Sequence, residues 1–336
     1  MKTVLVTGGA GFIGSSFVRY LLSAHADYRV INLDKLTYAG NPDNLRDVAG
    51  SSRYEFVQGD ICNRELVDHL MRQVDLVVNF AAESHVDRSI MGAEDFMRSN
   101  AMGVYTLLDV ARRHNIKRLV QISTDEVYGS LGPGEPPWTE EAPLAPRNPY
   151  SVSKAAGDMM ARAFAVTYGL PVVITRASNN IGPFQYPEKR VPLFITNAID
   201  DLPLPVYGQG LAVRDHLYVT DHCEAIDLVL HKGTVGEAYN VGGENEADGI
   251  AVVEKILELV EKPRTLIQHV KDRPGHDMHY SLDASKVRAL GWKPRYNFES
   301  ALRQTVAWYL EHQDWWRKIK ESADYRAYYE RQYVKR

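Results

Sequence analysis

Two cysteines in 336 residues, Cys62 and Cys223, are too few and too isolated for a disulfide framework or a cysteine metal site. Both are expected as reduced thiols, and no metal is expected. The chain also lacks any uninterrupted apolar run near the roughly 20 residues needed to span a bilayer. Its start, with Lys2 to Thr7 reading as a strand, has no charged-then-apolar signal-peptide pattern. These absences argue against a membrane partner and for a soluble, cytoplasmic chain. Charge of one sign is scarce too: 39 Lys and Arg against 43 Asp and Glu leave a net charge of -4, no electrostatic footprint for nucleic acid. What remains is an ordinary globular balance, 45% apolar and 24% charged, long enough for a full core and two lobes around a cleft. There is no internal repeat and no low-complexity tract.

Thr3-Val4-Leu5-Val6-Thr7 is a β-branched apolar run that stops at Gly8-Gly9-Ala10-Gly11-Phe12-Ile13-Gly14 and passes into a helical pattern through Leu22. The glycines at 8, 11 and 14 form a strand-turn-helix passage in which a bare backbone can approach a pyrophosphate, solvated by amides at the helix start. A second strand, Tyr28 to Leu33, ends at Asp34, twenty positions beyond Gly14. A carboxylate at that distance suits the adenosine ribose of a dinucleotide and repels a 2′-phosphate, which favours NAD over NADP. Further strands are predicted at Tyr54 to Val57, Leu76 to Phe80 and Leu119 to Ile122, with a helix from about Asn100 to His114. Such alternation predicts a Rossmann-type, doubly wound parallel sheet with helices on both faces and ligands at the carboxyl ends of its strands.

The fifth strand delivers Ser123 and then Thr124-Asp125-Glu126 to that end of the sheet. Adjacent carboxylates on a regular strand would face opposite ways, so for both to reach one ligand the backbone must turn here. The Gly/Pro-rich stretch Gly129 to Pro149 is too long for a simple connector and is a candidate substrate-side loop or flap. A helix from Tyr150 to Tyr168 then places Tyr150 and Lys154 one turn apart on one face. A phenol is a poor base near its reference pKa of about 10, and a neighbouring ammonium stabilises the phenolate. Together the set supplies a phenol for alcohol oxidation, plus an acid and a base for loss of water.

After a sixth strand, Val172 to Thr175, the alternation loosens near Asn179. The expected division is an NAD-binding domain over 1–178, joined by part of 211–241, and a smaller α/β substrate lobe over 179–336. A Pro-studded loop runs to Pro192, followed by a helix to about Asp200. The aromatic tail after Asp314 is expected to pack on its own lobe or on a partner subunit.

With these motifs in view the chain resembles the extended short-chain dehydrogenase/reductase superfamily and, within it, the dTDP-glucose 4,6-dehydratases. The resemblance runs from VTGGAGFIGS through LDKLTYAGN, AAESHVDRSI, STDEVYG, NPYSVSKA, SNNIGPFQYPEKRVP, RDHLYV, YNVGG and DRPGHD to LGWKP. The glycine turn and the Tyr/Lys pair are shared with epimerases, reductases and decarboxylases; Thr-Asp-Glu discriminates. The resemblance implies that Tyr150 takes the 4-hydroxyl proton while hydride passes to NAD, with Thr124 bonded to that oxygen and Lys154 holding the nicotinamide ribose. It implies Glu126 as the base at carbon 5 and Asp125 as the acid for the carbon 6 hydroxyl, before hydride returns to carbon 6. NAD, regenerated each turnover, should stay bound.

The resemblance further implies that Phe12, Ile13, Asp34, Lys35, Thr37, Asp60, Ile61, Ala81, Ala82, Ser84, Ser99 and Asn180 line the cofactor site beside Gly8, Gly11 and Gly14. Ser84, Thr124, Asn179, Lys189, Arg190, Pro205, Tyr207, Arg214, Arg273 and His276 would hold a nucleotide-diphosphate sugar. Members pair as homodimers through the helices that begin near Asn100 and Tyr150. One departure falls at Gly249, where the family commonly carries an asparagine facing the nucleotide; a second is His279, where arginine is more usual. The alternative reading is an NAD-dependent nucleotide-sugar 4-epimerase or decarboxylase, or a dehydratase acting on a UDP- or CDP-sugar. A non-catalytic dinucleotide-sensing protein would not be expected to carry Tyr150 and Lys154.

Overall fold

The computed structural model describes residues 1–334. The chain opens with β1 (Lys2–Thr7), α1 (Phe12–Ala24), β2 (Tyr28–Asp34), β3 (Tyr54–Gln58), α2 (Arg64–Met71) and β4 (Leu76–Asn79). Then come α3 (Val86–Met91), α4 (Glu94–Met97), α5 (Val104–Ala111), β5 (Arg118–Thr124), α6 (Pro149–Tyr168) and β6 (Val172–Ala177). A π-helical stretch, Arg98–Gly103, joins α4 to α5, so the helix expected from Asn100 starts earlier and is interrupted.

Six of these strands and a later one, β10 (Ala238–Val241), form a sheet in the order β10-β6-β5-β4-β1-β2-β3, with every neighbour pair parallel. The doubly wound sheet expected from the alternation is thus present, with its switch point between β1 and β4. Central strands buried on both faces must be apolar throughout, and Val4, Leu5 and Val6 of β1 are fully buried. Each such side chain contributes roughly 1.5–3 kcal/mol of burial. One face is covered by the cluster containing Phe17, Leu21, Ile226 and Val229, the other by that of Val67, Leu107, Leu108 and Phe164.

The glycine turn has two separable causes. Gly8 has φ +69, and a Cβ there would lie 2.6 Å from the Ala81 amide nitrogen. At Gly14 a Cβ would meet the Gly8 carbonyl oxygen at 2.3 Å. The first is needed for the turn, the second for packing α1 on β1. Helix α6 begins with a capping box between Asn148 and Ser151, has Pro149 in its first turn and ends at Gly169 with φ +66.

The second part contains β7 (Asn179–Ile181), α7 (Arg190–Ile199), β8 (Leu204–Tyr207), β9 (Val213–Tyr218), α8 (Val219–Lys232), β11 (Glu246–Asp248), α9 (Gly249–Leu259) and β12 (Ile267–Val270). It ends in α10 (Ser285–Ala289), α11 (Phe298–Glu311), α12 (Gln313–Lys320) and α13 (Ala323–Tyr329). A three-stranded sheet, β11-β9-β7, and a pair, β12-β8, stand apart from the main sheet. Their core gathers Phe194, Ile256, Leu302 and Trp316. Helix α7 starts at Arg190, two residues before the expected end of the loop at Pro192, because a proline is tolerated in a helix's first turn.

The long stretch after β5 is not a flap over the substrate. Trp138 stacks on Tyr128 at 5.4 Å between ring centroids, and the side chain of Asn240, on edge strand β10, donates to the Trp138 carbonyl at 2.8 Å. Buried aromatic surface and a filled hydrogen bond pin the loop to the sheet edge, and none of residues 129–149 lines either cleft described below. The aromatic tail packs on its own chain: Trp316 is fully buried with Nε1 donating to the Tyr309 carbonyl, and Trp315 donates to Asn44 in the first part. Both cysteines are free.

Candidate active site

Two clefts open at the carboxyl ends of the strands. The first is lined by all seventeen residues expected at the cofactor: Gly8, Gly11, Phe12, Ile13, Gly14, Asp34, Lys35, Thr37, Asp60, Ile61, Ala81, Ala82, Ser84, Ser99, Tyr150, Lys154 and Asn180. The second takes in Ser84, Asn179, Lys189, Arg190, Pro205, Tyr207, Arg214, Arg273 and His276, nine of the ten residues expected at the substrate. The tenth, Thr124, lines the first cleft instead. Ser84, Glu126, Asn179, Asn180, Gln185, Glu188 and Lys189 line both, so the clefts meet at Glu126.

At the end of β2, Asp34 accepts the Ala10 amide at 2.9 Å through Oδ2 and the Leu36 amide at 2.8 Å through Oδ1. The carboxylate that would read a ribose also ties the glycine turn to the strand end. Beside it Lys35 pairs with Asp60 at 3.0 Å. Several buried polar atoms of the cleft walls find no partner among the described residues: Glu126 Oε2, Asn179 Oδ1 and His222 Nε2. Buried polar groups are normally satisfied. Orphaned atoms in a glycine-floored groove fit a bound dinucleotide and a polar substrate.

The backbone does turn at the Thr-Asp-Glu triplet. Strand β5 ends at Thr124, whose hydroxyl accepts the Glu126 amide at 3.3 Å and caps a short 3-10 turn, Asp125–Tyr128. Thr124 Oγ1 also donates to Asp125 Oδ1 at 3.1 Å. The two acids then diverge: Glu126 lines both clefts, whereas Asp125 is 1% exposed and lines neither. Burial pushes the Asp125 carboxyl well above the ordinary carboxylate range, and the adjacent Glu126 charge pushes it further. Burial also raises Glu126, but Arg273, Arg214 and Lys189 oppose the rise. Both acids are thus raised, with Asp125 enclosed beside Thr124 and Glu126 flanked by more of the cations that favour its charge.

Tyr150 and Lys154 share the buried face of α6, as their spacing required. Burial raises the phenol, as do the charges of Glu126, Asp125 and Asp158, while a hydrogen bond with Thr124 lowers it. Lys154 donates to the Ile122 carbonyl at 2.6 Å, and its burial brings its pKa down to about 8 despite the opposing pull of Asp158. The expected help from Lys154 to the phenolate thus works against a strongly unfavourable setting in the free protein.

The second cleft is an anion site by its arithmetic. Desolvation, helped by the charges of Arg214 and Arg273, pushes the half-buried Arg190 down to about 9. It stays cationic at neutral pH. Arg190 donates to His216 Nε2 at 3.1 Å, and burial with the arginine charges holds that imidazole neutral, down at about 3. Three guanidiniums and Lys189 share the cleft with Asp87, Glu126 and Glu188, and the planar guanidiniums suit a diphosphate. Sequence reasoning missed the group that orients one of them: Asp87 takes Arg273 Nη1 at 3.2 Å and the Tyr207 hydroxyl at 2.8 Å. It also missed Gln332, donating to Tyr207 at 2.6 Å, and Tyr333, which lines the cleft. His276 pairs with Asp272 at 2.7 Å, and burial brings it down to about 4. Gly249 lines this cleft at the start of α9, where a Cβ would lie 3.0 Å from the Gly210 carbonyl oxygen.

A Rossmann-type sheet, a glycine-turn cofactor cleft, a buried Tyr/Lys pair and an arginine-lined anion cleft define the class: a dinucleotide-dependent enzyme acting on a nucleotide-diphosphate sugar. The family model described as GDP-mannose 4,6 dehydratase matches residues 5–305. The dTDP-glucose 4,6-dehydratase of Streptomyces niveus is 51% identical over 322 residues, covering 94% of this chain and 95% of the relative. Two solved structures superpose closely. The dTDP-glucose 4,6-dehydratase of Bacillus anthracis in complex with NAD is 49% identical, with a TM-score of 0.89 over 95% of this chain and all of that one. That of Streptomyces venezuelae with NAD and TYD bound is 48% identical, with a TM-score of 0.92 over the same shares. The chain belongs to the nucleotide-sugar 4,6-dehydratase family.

Proposed function

We propose that the chain converts dTDP-glucose to dTDP-4-keto-6-deoxyglucose and water as an NAD-dependent hydro-lyase. The observation that carries this reading is the divergence of Asp125 and Glu126: Asp125 is enclosed beside Thr124, while Glu126 stands among cations where two clefts meet. Elimination of water needs that pair, whereas epimerisation at carbon 4 does not.

NAD would lie along the first cleft with its pyrophosphate over Gly8, Gly11 and Gly14 and its adenosine ribose at Asp34. When bound, it supplies the acceptor that takes a hydride from the sugar and gives it back within one turnover. Tyr150 takes the proton of the 4-hydroxyl, and Thr124 bonds the same oxygen. Lys154 holds the nicotinamide ribose and opposes the burial that disfavours the phenolate. Glu126 removes the carbon 5 proton once carbon 4 is a ketone. Asp125 gives its proton to the departing carbon 6 hydroxyl. Arg190, Arg214 and Arg273 bind the diphosphate, with Lys189, Asn179 and Tyr207 beside them.

The NAD-binding unit is assigned to 1–178 with part of 211–241, and the nucleotide-sugar lobe to 179–336; β10 and α8, which packs on α1, support the return to the first unit. A homodimer is supported by exposed apolar residues on the helices around α5 and α6. Met97 and Met102 are exposed, and Val152, Met159 and Val166 recur at seven-residue intervals along one face of α6. Met159→Glu should convert a dimer to monomer in light scattering. The cytoplasm is the proposed location, consistent with free cysteines and the absence, among the described residues, of a helix long and apolar enough to cross a membrane.

Incubating the protein separately with dTDP-, UDP- and CDP-glucose tests the assignment. Loss of one water from the dTDP-sugar, with deuterium from carbon 4 recovered at carbon 6, is the expected result. An unchanged mass with inverted carbon 4 would make the chain an epimerase.

A further inference from the structure

Helices α1 and α8 pack side by side over one face of the sheet, and three ligating side chains converge where they end. His25 is the C-cap residue of α1, while Asp227 and His231 stand one turn apart near the end of α8. His25 Nε2 lies 2.9 Å from Asp227 Oδ1, and His231 Nδ1 lies 3.3 Å from the same oxygen. One ligand atom from each residue falls within 4.8 Å of the others. None of the three takes part in the chemistry proposed above.

We propose that His25, Asp227 and His231 bind one divalent transition-metal ion of the zinc class, through His25 Nε2, an Asp227 carboxylate oxygen and His231 Nδ1, with water completing the shell. Two imidazoles and one carboxylate suit zinc, cobalt or nickel, whereas magnesium and calcium prefer all-oxygen shells. With metal–ligand bonds of about 2.0–2.2 Å, tetrahedral ligand atoms stand roughly 3.3 Å apart. Two of the observed separations, 2.9 and 3.3 Å, lie near that spacing, and the third is within 4.8 Å.

The surroundings supply what such a site needs beyond its ligands. Ligation through Nδ1 puts the proton of His231 on Nε2, and the Tyr28 hydroxyl lies 2.6 Å from that nitrogen as an acceptor. An acceptor on the far nitrogen fixes the tautomer and orientation of a metal-bound histidine. The His25 ring is stacked on Tyr28 at 4.3 Å between centroids, which limits its rotation. Against binding stands the Asp227 main-chain oxygen, 2.7 Å from His231 Nδ1, so the ion must exchange a hydrogen bond for a metal bond. Zinc-class ions make that exchange favourable where two further ligands are already placed.

The ion would join the two helices at the ends remote from the chemistry. The start of α1 (Phe12, Ile13, Gly14) and His222 in the first turn of α8 line the cofactor cleft. Thirteen helical residues at 1.5 Å each separate that cleft from His25 by roughly 20 Å. Occupancy should therefore alter the stability of the α1–α8 pair and leave turnover unchanged.

The test uses tag-free full-length protein stripped with chelator and titrated with zinc by calorimetry and with cobalt by visible absorbance. One ion per chain is expected, with tetrahedral cobalt bands and a raised unfolding midpoint. His25→Gln and His231→Gln should each abolish the signal, and Tyr28→Phe should weaken affinity roughly 10- to 100-fold. Unfolding midpoints without metal check that each variant is folded, and all three should keep full dehydratase turnover. Absence of stoichiometric binding, or binding that persists in the His25→Gln/His231→Gln double variant, would overturn the proposal.

Discussion

Asp125 and Glu126 are joined by one peptide bond, yet Glu126 faces both clefts while Asp125 is enclosed and bonded to Thr124 at 3.1 Å. The division follows from the strand ending at Thr124, which lets consecutive side chains leave a 3-10 turn in different directions. Burial raises both carboxyls; the Glu126 charge raises Asp125 further, whereas Arg273, Arg214 and Lys189 temper the rise at Glu126.

Replacing Asp125 with Asn should separate the two halves of the reaction. In the proposed mechanism oxidation at carbon 4 rests on Tyr150, Thr124 and Lys154 and not on Asp125, so reduced nicotinamide should still form and then accumulate. Loss of water should slow roughly 100- to 10,000-fold, the usual span for a general acid. Stopped-flow absorbance of the reduced cofactor with product mass decides the matter. Undiminished turnover removes Asp125 from the mechanism.

Arg273→Met should move the acid limb of the pH–rate profile upward. As the proposed base, Glu126 would have to be ionised to accept the carbon 5 proton, and after burial the largest influence on it is Arg273, which lowers its pKa. Removing that charge raises the pKa, so activity is lost at a higher pH as the solution is acidified. KM for the nucleotide sugar should rise as well, since Arg273 lines the anion cleft. A profile with an unmoved acid limb would mean that another group sets it.

Gly14→Ala should destabilise the fold and weaken cofactor retention together. Its Cβ would sit 2.3 Å from the Gly8 carbonyl oxygen and force α1 away from the turn. Overpacking of this kind costs about 1–3 kcal/mol, readable in urea titrations. Gly50→Ala is the control: a Cβ there meets nothing within 4 Å, and the change should stay within about 0.5 kcal/mol.

Behind the active site, Arg176 Nε donates to Asp158 at 2.9 Å and its Nη1 to the Tyr128 hydroxyl at 2.7 Å, in a buried chain that continues to Asn240. Arg176→Met alone strands the Asp158 charge and should cost about 3–5 kcal/mol. The double variant Asp158→Leu/Arg176→Met removes both charges and should recover much of that loss in denaturant titrations. Equal losses in the single and double variants would show that the pair itself contributes stability.

The parts of the site legible in the sequence are those built by short segments. Glycines at 8, 11 and 14, Asp34 after the next strand, and Tyr150 with Lys154 on one helix turn lie close together whatever surrounds them, because strand and helix periods set their spacing. The substrate residues follow from family motifs, and all of them but Thr124 fall in one cleft. Asp87, Gln332 and Tyr333 are not placed at the substrate by the sequence because they act across intervals such as the 120 residues between Asp87 and Tyr207. Spacing carries no signal over such a distance. The loop after β5 was misjudged for a related reason: its length suggested a flap, but Asn240, about a hundred residues on, holds it to the sheet edge.

By itself, then, the sequence determined the doubly wound sheet, the cofactor turn and the presence of an acid, a base and a phenol. Those depend on local backbone sterics and on periodicity. The tertiary structure alone decided the surroundings of the two carboxyls, since burial and the arginines near them are brought in by distant segments. It also decided that Glu126, and not Asp125, stands where the two clefts meet. A pKa is a property of surroundings, and surroundings exist only once the chain has folded.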